Sequence, residues 1–179
     1  TRNVALFGNG GGTSVLGADI FAKLDLNVSP FNSTTIKNLD ALKLPPGTSI
    51  LNPVDTPVKT LQEKDGWIAG EILDIIYEYG QQDAIAMHLN LASFVGRGGV
   101  DPVNNLLRIV EKVQQDHPGK AHFGLALRTD GSPELDDAKR GYRERARLVN
   151  VPVYDEIPEL ALALSAVSKL EKKLSKSIG

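Results

Sequence analysis

Small and polar residues crowd into one stretch near the amino end, Asn9-Gly10-Gly11-Gly12-Thr13-Ser14, directly after the apolar run Val4-Ala5-Leu6-Phe7-Gly8. At the end of a strand and the opening of a helix, such residues suit one kind of chemistry. Glycines let backbone amides crowd around a group that a Cβ would exclude. A helix start adds unpaired N–H groups and a partial positive charge. The stretch reads as an anion site, with Thr13 or Ser14 as the helix N-cap. A tight turn with close helix–strand packing is the plainer alternative, but three consecutive glycines exceed what a turn needs. Two other segments carry similar potential. Asn52-Pro53-Val54-Asp55-Thr56-Pro57 is a loop fixed by two prolines; its plainer role is a turn in which Asp55 or Thr56 caps a helix after Pro57. Residues 92–100 form a loop holding Gly96, Gly98 and Gly99, with Arg97 between them. Arg97 is either a partner for phosphate or carboxylate or a solvated side chain.

The familiar phosphate motifs do not fit. A P-loop needs a lysine before its Ser/Thr, and Gly12 stands before Thr13. A dinucleotide fingerprint wants its third glycine inside the helix; counted from Gly8 that place is Thr13, and from Gly10 it is Val15. A phospho-receiver domain wants an aspartate at the tip of the third strand, where Asn90 and Leu91 stand. A flavin phosphate could use the glycine loop, but only Phe94 is placed to cover a ring.

Composition narrows the classes further. With 179 residues the chain fits one domain, and 41% hydrophobic residues suffice for a sizeable core. The absence of cysteine excludes disulfides, thiolate metal sites and a cysteine nucleophile. A net charge of -2 argues against nucleic-acid and anionic-membrane partners. No apolar run approaches a membrane span and no signal peptide is visible, so a soluble, cytoplasmic protein is expected. The chain begins at Thr1 rather than Met, which raises the expectation of a piece of something longer.

The elements that position these segments alternate between strand and helix. Residues 4–7, 26–28, 83–91, 121–127 and 151–154 read as strands. Helices are expected at 13–24, with Val15, Leu16, Ala18, Ile20 and Leu24 available for its buried face, and at 34–42 and 67–79. Others are expected from Asp101-Pro102, from Ser132-Pro133, and at 158–174. Lys139, Arg140, Arg143, Arg145 and Arg147 read as a wet helix face. The sequence shows no internal repeat, and residues 169–179 read as a fraying tail after a domain at 1–168. The alternation predicts an α/β, flavodoxin-like three-layer domain with a five-stranded parallel sheet in the order 2-1-3-4-5. That order sets the first and third strands side by side, so the glycine turn and the 92–100 loop would face one crevice, and a single anion could touch both helix starts.

Asn9-Gly10-Gly11-Gly12 followed by Val15-Leu16-Gly17-Ala18-Asp19 resembles a segment of NDP-forming acyl-CoA synthetases, in which an Asn-x-Gly-Gly turn precedes a helix with an Ala-Asp pair. Asn52-Pro53-Val54-Asp55 is similar to the second signature of that family. The strand at 83–91 with Gly98-Gly99-Val100 resembles the matching part of the succinyl-CoA synthetase β-subunit carboxyl-terminal ligase domain. The resemblance implies ligation of a carboxylic acid to coenzyme A through an acyl phosphate and a phosphohistidine. Gly98, Gly99 and Val100 would then contribute to the phosphate site. Asn9, Gly10, Gly11, Gly12 and Thr13, with Asn52, Pro53, Val54 and Asp55, would line the acid and CoA-thiol region.

The family's histidine lies upstream of the Asn-x-Gly-Gly turn, and none of His88, His117 or His122 matches it. The resemblance therefore implies no catalytic residue in this chain and inactivity alone. It implies a CoA-binding, His-bearing domain or subunit and an ATP-grasp domain as partners, in a homo- or hetero-oligomer. Coenzyme A and phosphate would be substrates, Mg-nucleotide would sit on the ATP-grasp domain, and no metal or tightly bound cofactor is expected here. A non-catalytic CoA-ester-sensing or assembly module of the same fold is the alternative.

Overall fold

A computed structural model of the protein describes residues 1–95 and 101–178, apart from the side chains of Gln62, Glu63, Asp65 and Ile178. The strands are β1 (Val4–Gly8), β2 (Val54–Asp55), β3 (Ala84–Asn90), β4 (His122–Arg128) and β5 (Val153–Tyr154). They pair in parallel in the order β2-β1-β3-β4-β5, as the alternation of elements predicts. The helices are α1 (Gly11–Lys23), α2 (Ser33–Ala41), α3 (Val58–Gln62), α4 (Ile68–Tyr79), α5 (Pro102–Asp116), α6 (Pro133–Leu148) and α7 (Ile157–Ile178).

Side chains alternate across the sheet and divide the core in two. Ala5, Phe7, Ile85, Met87, Leu89, Phe123, Leu125 and Leu127 pack beneath α2, α4, α5 and α6. Val4, Leu6, Ala84, Ala86 and Ala126 face Phe21 of α1 and Ile157, Leu160 and Leu164 of α7. The second face is built of smaller residues on β3 and β4, so α1 and α7 lie close to the strands. Its even-numbered register continues to Gly8 and His88, which are paired across β1 and β3.

Several local expectations are corrected. The second strand is Val54–Asp55 rather than residues 26–28, which contribute one bridge, Asn3 to Asn27. The edge of β1 is shared instead. Asn27 pairs at its start, Val54 and Asp55 pair with Phe7 and Gly8 at its end, and the Asn52 side chain fills the middle. Ser29-Pro30 stops the first partner from extending, because proline brings no N–H to a ladder.

Helix α1 begins at Gly11, earlier than expected. Its N-cap is Gly10, at φ 108°, with no side-chain cap from Thr13 or Ser14. That backbone angle is one glycine adopts without strain. The buried face of α1 is Ser14, Gly17 and Phe21, whereas Val15 and Leu16 are 65% and 60% exposed. A Cβ on Gly17 would stand 2.9 Å from Leu6 Cδ2, so a stripe of small residues sets how closely α1 approaches the sheet.

Helix α5 opens where Asp101-Pro102 is expected to start it: Asp101 caps it through Asn104 N–H, Pro102 is its first residue, and Val103, Leu106, Leu107 and Val110 are buried. Helix α7 continues through the segment read as a tail, where Glu171 bonds His122 at 2.9 Å. The basic run on α6 is partly paired, with Asp155 accepting from Lys139 at 2.8 Å and Arg143 at 3.1 Å.

Candidate functional site

The carboxyl ends of β1, β3 and β4 gather most of the polar groups singled out by the sequence. Thr56 begins the assembly. Its N–H and its hydroxyl both donate to Gly8 O, at 2.9 and 3.1 Å. That pair of hydrogen bonds ties the proline loop to the tip of β1 and delivers Asp55 to the glycine turn, where Asp55 Oδ1 accepts from Gly10 N–H at 2.9 Å. A Cβ on Gly11 would stand 2.9 Å from Asp55 Oδ2. The two segments, 45 residues apart at this contact, thus form one surface. Among the described residues neither Asp55 nor Thr56 caps α3 with its side chain; both are spent on β1 and its turn.

Asn52 works one layer deeper. It is buried, its Oδ1 accepts from Leu6 N–H at 2.9 Å, and its Nδ2 donates to Val4 O and Ser29 O at 2.7 and 2.8 Å. This residue holds the proline loop against β1 through its amide oxygen and its amide nitrogen. Asn9 crosses in the other direction, its Oδ1 accepting from Asn90 N–H at 3.2 Å and joining the tips of β1 and β3. Gly11 and Gly12 remain exposed.

The sequence reading offers both helix starts to one guest anion. In the structure each start receives a carboxylate of the chain, Asp55 at Gly10 and Asp101 at Asn104. Gly96, Arg97, Gly98, Gly99 and Val100 lie outside the described residues.

Beneath the glycine turn sits a pair that sequence reasoning did not single out as a unit. Ser14 and His88 are both buried, with Ser14 Oγ 3.1 Å from His88 Nε2. Burial, reinforced by the Arg128 charge, pushes the His88 pKa down to about 4. The imidazole is therefore neutral near pH 7. Because the folded value lies below the ordinary 6.5, the unfolded chain takes up its proton first as the pH falls. Stability from this residue should be intact above about pH 6.5 and drain away toward about pH 4, by about 3 kcal/mol in all. Denaturant titrations across that range measure the slope, and His88→Asn should flatten it.

Arg128 is the charged residue at this end of the sheet that the sequence reading did not single out. Last in β4, it donates from Nε to Glu156 at 2.8 Å and from Nη1 to Thr13 Oγ1 at 3.2 Å. In the sequence it looks like an ordinary charged residue ending an apolar strand. Only the position of β4 beside β3 brings it to α1. Among the described residues no group of three or more His, Cys, Asp or Glu could hold a metal ion, and no helix is long and apolar enough to cross a membrane.

No protein-family model matches the sequence, and no curated protein matches it. Solved structures do resemble it. PH0766 from Pyrococcus horikoshii OT3 superposes with a TM-score of 0.68 at 22% identity, over 93% of this chain and 35% of that one. The dinucleotide forming acetyl-coenzyme A synthetase 1 of Ca. Korarchaeum cryptofilum, solved in the apo form and in complex with phosphate and ADP, gives 0.69 at 16% identity. There the match covers 100% of this chain and 36% of the other. The chain thus spans about a third of the length of these proteins, and at such identities the likeness is one of fold.

Proposed function

We propose that this chain is the flavodoxin-like ligase domain of an NDP-forming acyl-CoA synthetase and acts together with other domains. The observation that carries the reading is the meeting of its two signature segments. Asn9–Thr13 and Asn52–Asp55 are distant in sequence, yet the Asp55 carboxylate rests on the Gly10 amide and Thr56 on Gly8 O. The fold likeness to an acetyl-coenzyme A synthetase over the whole chain supports it.

In this reading the acid enters as an acyl phosphate and leaves as a thioester after attack by the CoA sulfur. The phosphoryl group of that acyl phosphate comes from the nucleotide on an ATP-grasp domain through a histidine supplied by a partner domain, and it leaves as inorganic phosphate when the thioester forms. The exposed, side-chain-free face of Gly11 and Gly12 gives the thiol and acyl carbon close approach. Asp55 fixes the shape of that turn. Gly98, Gly99 and Val100 would contribute amides to the phosphate.

The test is reconstitution: the chain is added to its His-bearing and ATP-grasp partners, and CoA thioester formation from acid, CoA and ATP is measured. Ligation should require the chain and fall at least about tenfold when Gly98 and Gly99 are both replaced by valine, whose side chains would keep the backbone amides from the oxyanion. Ligation indifferent to those replacements counts against the phosphate role. Inertness in the full mixture favours the CoA-ester-sensing module.

A further inference from the structure

We infer that Arg128 and Thr13 form an oxyanion-binding subsite that takes a carboxylate or phosphate group of a small ligand. The inference goes beyond the ligase reading and does not depend on it, because it concerns anion capture by this chain alone. Arg128 ends β4, on the side of the sheet where open α/β folds bind their ligands. Its guanidinium is oriented from two directions, by Glu156 at Nε and by Thr13 at Nη1. Those anchors belong to the approach to α7 and to the first turn of α1, so the plane of the group is set before any ligand arrives.

Among the described residues Nη2 has no hydrogen-bond partner, and the side chain is 36% exposed, within reach of solvent. Thr13 Oγ1 accepts from Arg128, which leaves its own proton to donate elsewhere. A guanidinium edge with a hydroxyl beside it matches the oxygens of a carboxylate or of a phosphate. Glu156 balances the charge at Nε, so a guest anion must bind through the Nη edge. His88, buried and neutral beneath, adds no positive charge that protonation could switch on near pH 7.

The test is an NMR titration of the full 15N-labelled chain with sodium phosphate and, separately, sodium acetate, at constant ionic strength. Saturable shifts are expected at the Thr13 and Ser14 amides and at Arg128 Nε–H. Arg128→Met should weaken the fitted affinity by about tenfold or more, as expected for lost charge-assisted hydrogen bonds. Thr13→Val keeps the side-chain shape and the guanidinium, and should weaken it several-fold; it carries the test if Arg128→Met does not fold. A stronger response to acetate identifies a carboxylate ligand and a stronger response to phosphate a phosphoryl ligand, and either supports the subsite.

Non-saturating shifts spread over the surface overturn it. So does saturable binding that Thr13→Val and any folded Arg128→Met leave unchanged. Saturation here alongside failed reconstitution would remove the ligase reading and keep the subsite; the opposite pattern would do the reverse.

Discussion

Replacing Gly8 by alanine should cost about 3 kcal/mol or more, enough to leave a domain of ordinary stability marginal or unfolded. A Cβ there would stand 2.3 Å from the His88 carbonyl oxygen and 2.6 Å from both Cδ2 and Nε2 of its ring. The carbonyl belongs to the neighbouring strand and cannot swing aside, because β3 is paired on both edges. The ring cannot retreat either, since it is buried against Ser14. Gly12 is the matched control: a Cβ at that position meets nothing within 4 Å. Gly12→Ala should be neutral or stabilise by up to about 1 kcal/mol, as alanine is the better helix former. Urea denaturation of the two variants measures the contrast, and equal stabilities would contradict the packing described.

Asn52→Ala should cost about 3 to 5 kcal/mol. One side chain satisfies Leu6 N–H, Val4 O and Ser29 O. Each group left unpaired away from water costs roughly 1 to 3 kcal/mol. The effect has a local signature besides the stability loss, because the amide hydrogen of Leu6 should exchange much faster with deuterium. Retained protection at Leu6 would show that another group replaces the carboxamide. Asn52→Asp should also fail, since it keeps the acceptor, loses both donors and buries a charge.

Much of the fold was legible because its signals are local. Asp101 and Pro102 announce α5 by adjacent cap chemistry, and Val103, Leu106, Leu107 and Val110 fall on one face at helical spacing. The buried strands read as apolar runs, and their alternation with helices led to the observed strand order. The failures are non-local. β2 has two residues and no run of its own; it exists because Asn52 and Thr56 tie the loop to β1.

Helix α1 misled for a different reason. Periodicity favours apolar residues for the buried face, but Ser14 is buried with His88 as partner while Val15 and Leu16 face outward. Of the candidate site, the residue types of the glycine turn and proline loop were readable, and their junction at Asp55 was not. Arg128 was invisible because its partner Thr13 lies 115 residues away.

The central claim is that the glycine turn and Asp55 are the working surface of an acyl-CoA ligase, and Gly11→Val in the reconstituted system tests it most directly. Gly11 is exposed, and the new Cβ would press only on the free carboxylate end of Asp55. Valine there should obstruct the turn while the melting temperature stays within a few degrees of the original. The account predicts that CoA thioester formation drops at least about tenfold under these conditions, as for a reactant displaced from its attack geometry. Undiminished ligation by a folded Gly11→Val chain would contradict it.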